Sequence, residues 1–291
     1  MNQAFKNLLH LHFLVFIWGF TAVIGLKIET SAAILVLYRT LLAALGIGIV
    51  IVIRHRNKSV EMFKNIKPIL GVGFIVGLHW LSFFYSGRYS NASVSLAGFS
   101  TCSLWTAILS PLFFKKSIRP IQLLVAGMVI VGLYIIFQFQ FGYALGLALG
   151  ILSGFCGALM SILNSKLTQQ NDVTIMTFWE MLAAAACALV FIGLDAQFFG
   201  HPTTLFPPTH DWPWLLALGW ACTVYPFTAA NFLLRKISAF TFSLAVNLEP
   251  VYGIILAFLF LGKSESMTPS FYVGTGIILA AVLIYPFFEK E

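Results

Sequence analysis

Ile34-Leu35-Val36-Leu37-Tyr38-Arg39-Thr40-Leu41-Leu42-Ala43-Ala44 can be laid over Ile175-Met176-Thr177-Phe178-Trp179-Glu180-Met181-Leu182-Ala183-Ala184-Ala185 with an apolar residue facing an apolar residue almost throughout. Both stretches lie inside apolar runs long enough to cross a bilayer, so their likeness points to an internal duplication. Ser95-Leu96-Ala97 answers Ser243-Leu244-Ala245, Gly19-Phe20 answers Gly154-Phe155, and Pro120 with Gly127 answers Pro269 with Gly276. Each match is weak alone in so apolar a chain. Their common order and similar offsets make duplication the economical reading.

The rest of the sequence supplies the solvent for this repeat. Of 291 residues 59% are hydrophobic and 9% charged, and the mean hydropathy is +0.92. A soluble domain carries roughly a quarter charged residues. A hydrocarbon core ~30 Å thick needs about 20 apolar residues per helix. Segments of that kind fall at 8–26, 31–53, 68–87, 91–114, 119–138, 142–165, 173–196, 212–234, 238–262 and 270–288. The expected fold is therefore an all-α integral membrane protein, ten transmembrane helices as two inverted five-helix repeats. Repeat one covers 8–138 and repeat two 142–288, together one membrane domain. The longest loops, 54–67 and 195–211, are too short to bury a core of their own.

Charge sets the expected orientation. With the N-terminus inside, one side holds Lys6, Arg54, Arg56, Lys58, Lys64, Lys67, Lys115, Lys116, Arg119, Lys166, Arg235, Lys236 and Lys290, and the other only Lys27, Arg88 and Lys263. Cytoplasmic loops concentrate Lys and Arg, so both termini are expected in the cytoplasm, with the bacterial inner membrane the expected location. The formal charge of +7 is then an orientation and headgroup signal, and nucleic acid is not an expected partner. The first apolar run exceeds a secretory h-region and lacks a small-x-small cleavage site, so it reads as a helix. Cys102, Cys156, Cys187 and Cys222 all fall inside spans and read as small packing residues, with no metal or disulfide expected.

Each half has an odd number of spans, so the second enters the membrane from the side opposite to the first. Inverted repeats of this kind recur in secondary transporters, where two bundles exchange shapes about a site near the midplane.

Asn247-Leu248-Glu249-Pro250-Val251-Tyr252-Gly253-Ile254-Ile255-Leu256-Ala257-Phe258-Leu259-Phe260-Leu261-Gly262 resembles the ninth helix of EamA-type carriers of the drug/metabolite transporter superfamily. The first-half partner, 100–114, has Cys102 where Pro250 stands, and Lys263 occupies the place of the family's usual acid. The resemblance implies a ten-helix carrier that exports or exchanges amino acids, related metabolites or drugs. It also implies a central cavity built from helices 1, 3, 4, 6, 8 and 9.

An ionised carboxylate inside a bilayer is costly and usually faces a cavity or a partner. Glu249 lies ~16 Å into its span at 1.5 Å per residue, near the midplane. It is the candidate proton carrier or counter-ion for an amine, or else it braces a broken helix. Pro250, Pro226 and Pro111 would leave the carbonyls of Val246, Cys222 and Ala107 without their helical N–H, either to bind solute or merely to kink the helix. Arg39 and Glu180 occupy equivalent repeat positions with opposite charge and are candidates for a structural ion pair.

Trp18, Trp80, Trp105, Tyr225 and Tyr252 sit within spans, away from the interfacial belt. They either line a cavity or pack against neighbours. His79 reads as a proton relay or as a packing histidine beside Trp80. Thr101 and Asn247 complete the candidate substrate-binding set. Gly142, Gly146, Gly150 and Gly154 recur every fourth residue and suggest a close helix contact.

The rival classes leave no trace. No H-E-x-x-H, no G-x-S-x-G with a membrane histidine and no intramembrane aspartate pair supports an enzyme, and no acidic ring or carbonyl-filter sequence supports a channel. No G-x-x-x-x-G-K-[ST] loop supports ATP use, and no cofactor is expected. The expected partners are a small-molecule substrate, membrane lipid and protons as a candidate coupling ion. A lipid flippase or a non-transporting scaffold is the alternative.

Overall fold

The computed structural model describes residues 3–54, 62–63, 65–115, 117, 120–139, 141–199, 204–262 and 267–288. Among these residues every regular element is helical. Arg56, Lys58, Lys64, Lys116, Arg119, Lys263 and Lys290 lie outside them.

α1 (Gln3–Lys27), α2 (Ala32–Arg54) and α3 (Ile66–Tyr89) run unbroken, as do α7 (Ala144–Leu167) and α8 (Val173–Phe199). The fourth sequence span instead divides into α4 (Ala92–Phe99) and α5 (Cys102–Phe114), and the ninth into α11 (Ala239–Val246) and α12 (Glu249–Leu261). Both pairs are an 8-residue helix followed by a 13-residue helix. The break therefore recurs at corresponding places in the two halves.

Pro250 is consequently not inside a helix, as expected from sequence, but in the first turn of α12. There its missing N–H removes no helical bond. The first-half break has no proline. It is held by hydroxyls, Ser100 Oγ donating to the carbonyl of Ala97 at 2.6 Å and Thr101 Oγ1 to that of Gly98 at 2.8 Å. Those bonds occupy carbonyls that a helix end leaves without partners. Asn91 and Ser238 cap α4 and α11, their side chains accepting from Val94 N and Thr241 N.

The eighth span is composite: α9 (Trp212–Leu216), a π-helical stretch over Ala217–Val224, and α10 (Tyr225–Leu234). Pro226 stands in the first turn of α10, next to the wider turn, the kind of irregularity that π-bulges bring to functional helices. α6 (Pro120–Phe139) and α13 (Pro269–Phe288) close the two halves and pack on each other.

Eight segments among the described residues are long and apolar enough to cross a membrane. α6 and α13, where the sequence places the fifth and tenth spans, are not among the eight, their qualifying apolar stretches, Gly127–Ile136 and Pro269–Ala281, being shorter. Large apolar side chains point outward around the bundle, Ile53 at 71% and Leu259 at 69% exposure being examples. Lipid tails are as apolar as these side chains, so such exposure carries no penalty in a bilayer.

Glycine decides the tightest contacts. A Cβ on Gly98 would come 2.8 Å from the Cα of Gly150, and one on Gly154 2.5 Å from Thr101 Oγ1, so α7 touches the α4–α5 break almost backbone to backbone. On α3, a Cβ at Gly73 would lie 2.6 Å from the Glu180 carbonyl of α8. Gly142 does not join the seam expected of it. It sits in the 3-10 turn Phe141–Tyr143 with open space around it.

Two apolar clusters result. The larger gathers α1, α2, α3, α7, α8 and α10, and the smaller joins α6 and α13 to α4, α5 and α11.

Candidate functional site

The larger cluster is hollow. A cavity lies between α1, α2, α3, the α4–α5 break, α7, α10 and the α11–α12 break. Its wall includes six aromatic side chains, Trp18, Trp80, Phe83, Phe99, Phe227 and Phe242. Its polar groups are Thr21, Arg39, His79, Ser161, Asn164, Asn231, Ser243 and Glu249. Apolar and aromatic walls with a few convergent polar groups are the lining that small-molecule sites take.

Arg39 reaches the cavity from α2, 2% exposed. Its Nε donates to Thr223 Oγ1 at 2.9 Å, and its guanidinium carbon stands 4.2 Å from the centre of the Trp80 ring and 5.6 Å from that of Phe84. Thr223 is turned toward it by the π-helical register, its hydroxyl donating in turn to the carbonyl of Leu218 five residues back at 2.7 Å. Stacking on aromatic faces while donating in the plane is what a guanidinium does and an ammonium does not.

Glu249, the first residue of α12, is 5% exposed and faces the same cavity. Its carboxyl makes no hydrogen bond among the described residues. Arg39 is its charged neighbour across the cavity, yet the two form no direct ion pair. A guanidinium and a carboxyl thus face one solvent-sized space without neutralising each other.

The Arg39–Glu180 pair considered from sequence is not formed. Glu180 Oε2 instead accepts from Asn231 Nδ2 at 3.1 Å. The same Asn231 amide donates to Thr177 Oγ1 at 3.1 Å and accepts from Asn164 Nδ2 at 3.1 Å. Glu180 is wholly buried and reaches the cavity only through the two asparagines, because Gly73 draws α3 against its backbone while Arg39 points the other way, toward Thr223. The helix set implied by the resemblance also needs one addition, since Arg39 brings the second span into the cavity wall.

Of the remaining sequence candidates, Trp18, His79 and Trp80 line the cavity. His79 Nδ1 is satisfied by Ser153, 2.8 Å from its hydroxyl and 3.0 Å from its carbonyl. Trp18 Nε1 donates to the carbonyl of Cys222 at 3.2 Å, the carbonyl that Pro226 leaves without a helical partner.

The other five do not line it. Tyr225 is half exposed and its hydroxyl meets His10 Nε2 at 2.8 Å outside the cavity. Tyr252 packs edge-on against Phe16, and Trp105 edge-on against Phe155. Thr101 is spent on the α4–α5 break. Asn247 donates to Ser103 Oγ at 2.6 Å and holds the other break, its Oδ1 buried without a partner. Thr101 thus turns to the backbone of its own break, Asn247 to a hydroxyl of α5, and the three aromatic residues to neighbouring rings.

Asn164, Asn231, Ser161, Ser243 and Thr223 were not singled out from sequence. A usable signal existed for the asparagines, since a polar amide inside an apolar span seeks a partner on another helix. None existed for Thr223, whose direction depends on the π turn. Among the described residues no cluster of His, Cys, Asp or Glu could hold a metal ion, and the four cysteines are free and buried.

A solved crystal structure 13% identical to this chain superposes with a TM-score of 0.72 over 98% of this chain and 99% of that one, a likeness of fold. No curated protein matches. The model of the EamA-like transporter family matches twice, over residues 7–138 and 144–285. This multi-pass membrane protein therefore belongs to the EamA-like transporter family of the drug/metabolite transporter superfamily.

Proposed function

We propose that the protein is a secondary carrier that exports or exchanges a small zwitterionic or cationic solute, an amino acid, amine or drug-like compound, by alternating access. The observation that carries this reading is the central cavity, where Arg39 and Glu249 face the same space among aromatic walls without pairing. An amino acid would complete both groups, its carboxylate on the unused guanidinium N–H groups and its ammonium on Glu249. Its side chain would lie against Trp18, Phe99 or Phe242. A plain amine would use Glu249 and the ring faces.

The two five-helix repeats are taken to be inverted, with both termini in the cytoplasm of a bacterial cell. The repeated breaks at α4–α5 and α11–α12 border the cavity and are the natural hinges for its exchange between the two sides, because a short stretch without helical bonds absorbs a change of direction. Glu249 is also the candidate through which protons couple to transport.

The test is counterflow in proteoliposomes loaded with amino acids, amines and drug-like cations in turn, with and without an imposed pH gradient. Saturable counterflow for one class, competed within that class, is the expected result. Unitary currents, or movement of fluorescent lipid with no solute counterflow, would replace the carrier by a channel or a flippase.

A further inference from the structure

A second cavity, of about 540 Å³, lies where the N-terminal end of α1, the C-terminal end of α2, the start of α8 and the outer face of α10 meet. Its rim carries Lys6, Arg54 and Lys236, and none of its lining residues is acidic. All three cations are exposed, and among the described residues none is in an ion pair. Asp172, two residues before the lining Thr174, caps α8, accepting from Thr174 N and Ile175 N at 2.9 and 3.1 Å. Below the rim the wall turns apolar, with Ile47, Val50 and Phe232.

We propose that this cavity is a binding site for an anionic phospholipid, its phosphate headgroup held by Lys6, Arg54 and Lys236 and its acyl chains lying on α2 and α10. Charge complementarity selects the sign of the headgroup: three cations converge from three separate helix ends on a cavity whose lining, among the described residues, holds no carboxylate. The vertical arrangement selects a lipid over a soluble anion. Cations stand at the ends of membrane-spanning helices and apolar side chains lie one to two turns deeper, the order in which a phospholipid presents phosphate and chains. α10 separates this cavity from the central one, Asn231 facing inward and Phe232 outward. A bound lipid therefore braces the wall of the transport site.

Native mass spectrometry of the full-length protein, released from mixed micelles holding equal phosphatidylglycerol and phosphatidylcholine, tests the assignment. The wild type is expected to retain phosphatidylglycerol about tenfold over phosphatidylcholine. The triple variant K6Q/R54Q/K236Q should bring that ratio close to one. The control K67Q/K115Q, which removes two exposed cations elsewhere, should leave it unchanged. Millimolar inorganic phosphate should not displace the lipid. Equal retention of the two lipids by the wild type, or an unchanged preference in the triple variant, overturns the proposal. Displacement by phosphate also overturns it, in favour of a soluble-anion site. Should the triple variant not fold, K6Q and K236Q singly must each lower the ratio, and failure to do so counts equally against it.

Discussion

Arg39 is held by two partners that a lysine cannot satisfy together, the hydroxyl of Thr223 in the plane of the guanidinium and the ring of Trp80 beneath it. Arg39→Lys keeps the charge but cannot hold both contacts at once, an expected cost of about 1–3 kcal/mol. Thermal unfolding in detergent reads that loss, and equilibrium binding should show zwitterion affinity falling about tenfold or more. An unchanged melting temperature would mean that the stacked geometry contributes nothing.

Glu249→Gln keeps shape and removes the carboxyl charge. Uptake of ammonium-bearing solutes into proteoliposomes should fall at least about tenfold, the order expected for losing a charged partner, and its dependence on pH should flatten. A variant whose transport keeps the wild-type pH profile would remove Glu249 from proton coupling. One with unchanged affinity would remove it from substrate binding.

Away from the cavity, Asp211 is fully buried and clamps the α1–α2 connection, its two carboxylate oxygens accepting from Glu29 N and Thr30 N at 2.9 Å each. The same turn is held from below by Arg88, which donates to the carbonyls of Gly25, Ile28 and Thr30. Asp211→Asn replaces one acceptor by a donor facing an N–H, a cost of about 1–3 kcal/mol visible as a lowered melting temperature. Sequence showed Asp211 only as the edge of a loop, because its partners lie about 180 positions away in the chain.

At the scale of the elements, the contact between α4 and α7 rests on the absence of side chains. Gly98→Ala places a methyl group 2.8 Å from the Gly150 Cα, and backbone cannot step aside as a side-chain tip can. The helices must separate, which is expected to cost about 1–3 kcal/mol and to disturb the adjoining break. Gly142→Ala, with nothing within 4 Å, should leave thermal unfolding unchanged. Equal effects of the two substitutions would dissolve the argument. The four-residue glycine spacing announced this contact, but it could not tell that Gly142 falls outside it, since spacing assumes a helix that in fact begins at Ala144. The breaks divide in the same way. Glu249-Pro250 advertises the second, whereas the first is made by Ser100 and Thr101 hydroxyls that look in sequence like any small polar residues of a membrane helix.

For the molecule as a whole, the proposed five spans in each half would put the two termini on one side. Protease-cleavable tags at the two ends of the chain, probed in sealed inside-out and right-side-out vesicles, should be cut together in one orientation only. Cleavage on opposite faces would end the inverted-repeat account. In a cysteine-free background, Ser161→Cys should react with a membrane-impermeant thiol reagent from one side of the membrane. Leu11→Cys, at 0% exposure in the packed interior, should not.

What the sequence determined by itself is what depends on composition and order along the chain. Apolar runs must become helices, because a bilayer offers no other partner for the backbone, and duplicated patterns imply duplicated bundles. That reasoning reached the membrane class, the repeat, the family and four residues, Glu249, Trp18, His79 and Trp80, that line the central cavity. Only the tertiary structure decided which polar side chains share a space. Arg39 turned from Glu180 to Trp80 and Thr223, Asn164 and Asn231 took up Glu180, and Tyr225, Tyr252, Trp105, Thr101 and Asn247 went to packing and breaks. The direction of a side chain inside a bundle depends on helix rotation, on a π turn and on glycine contacts at ångström scale, and none of these leaves a periodic mark in the order of residues.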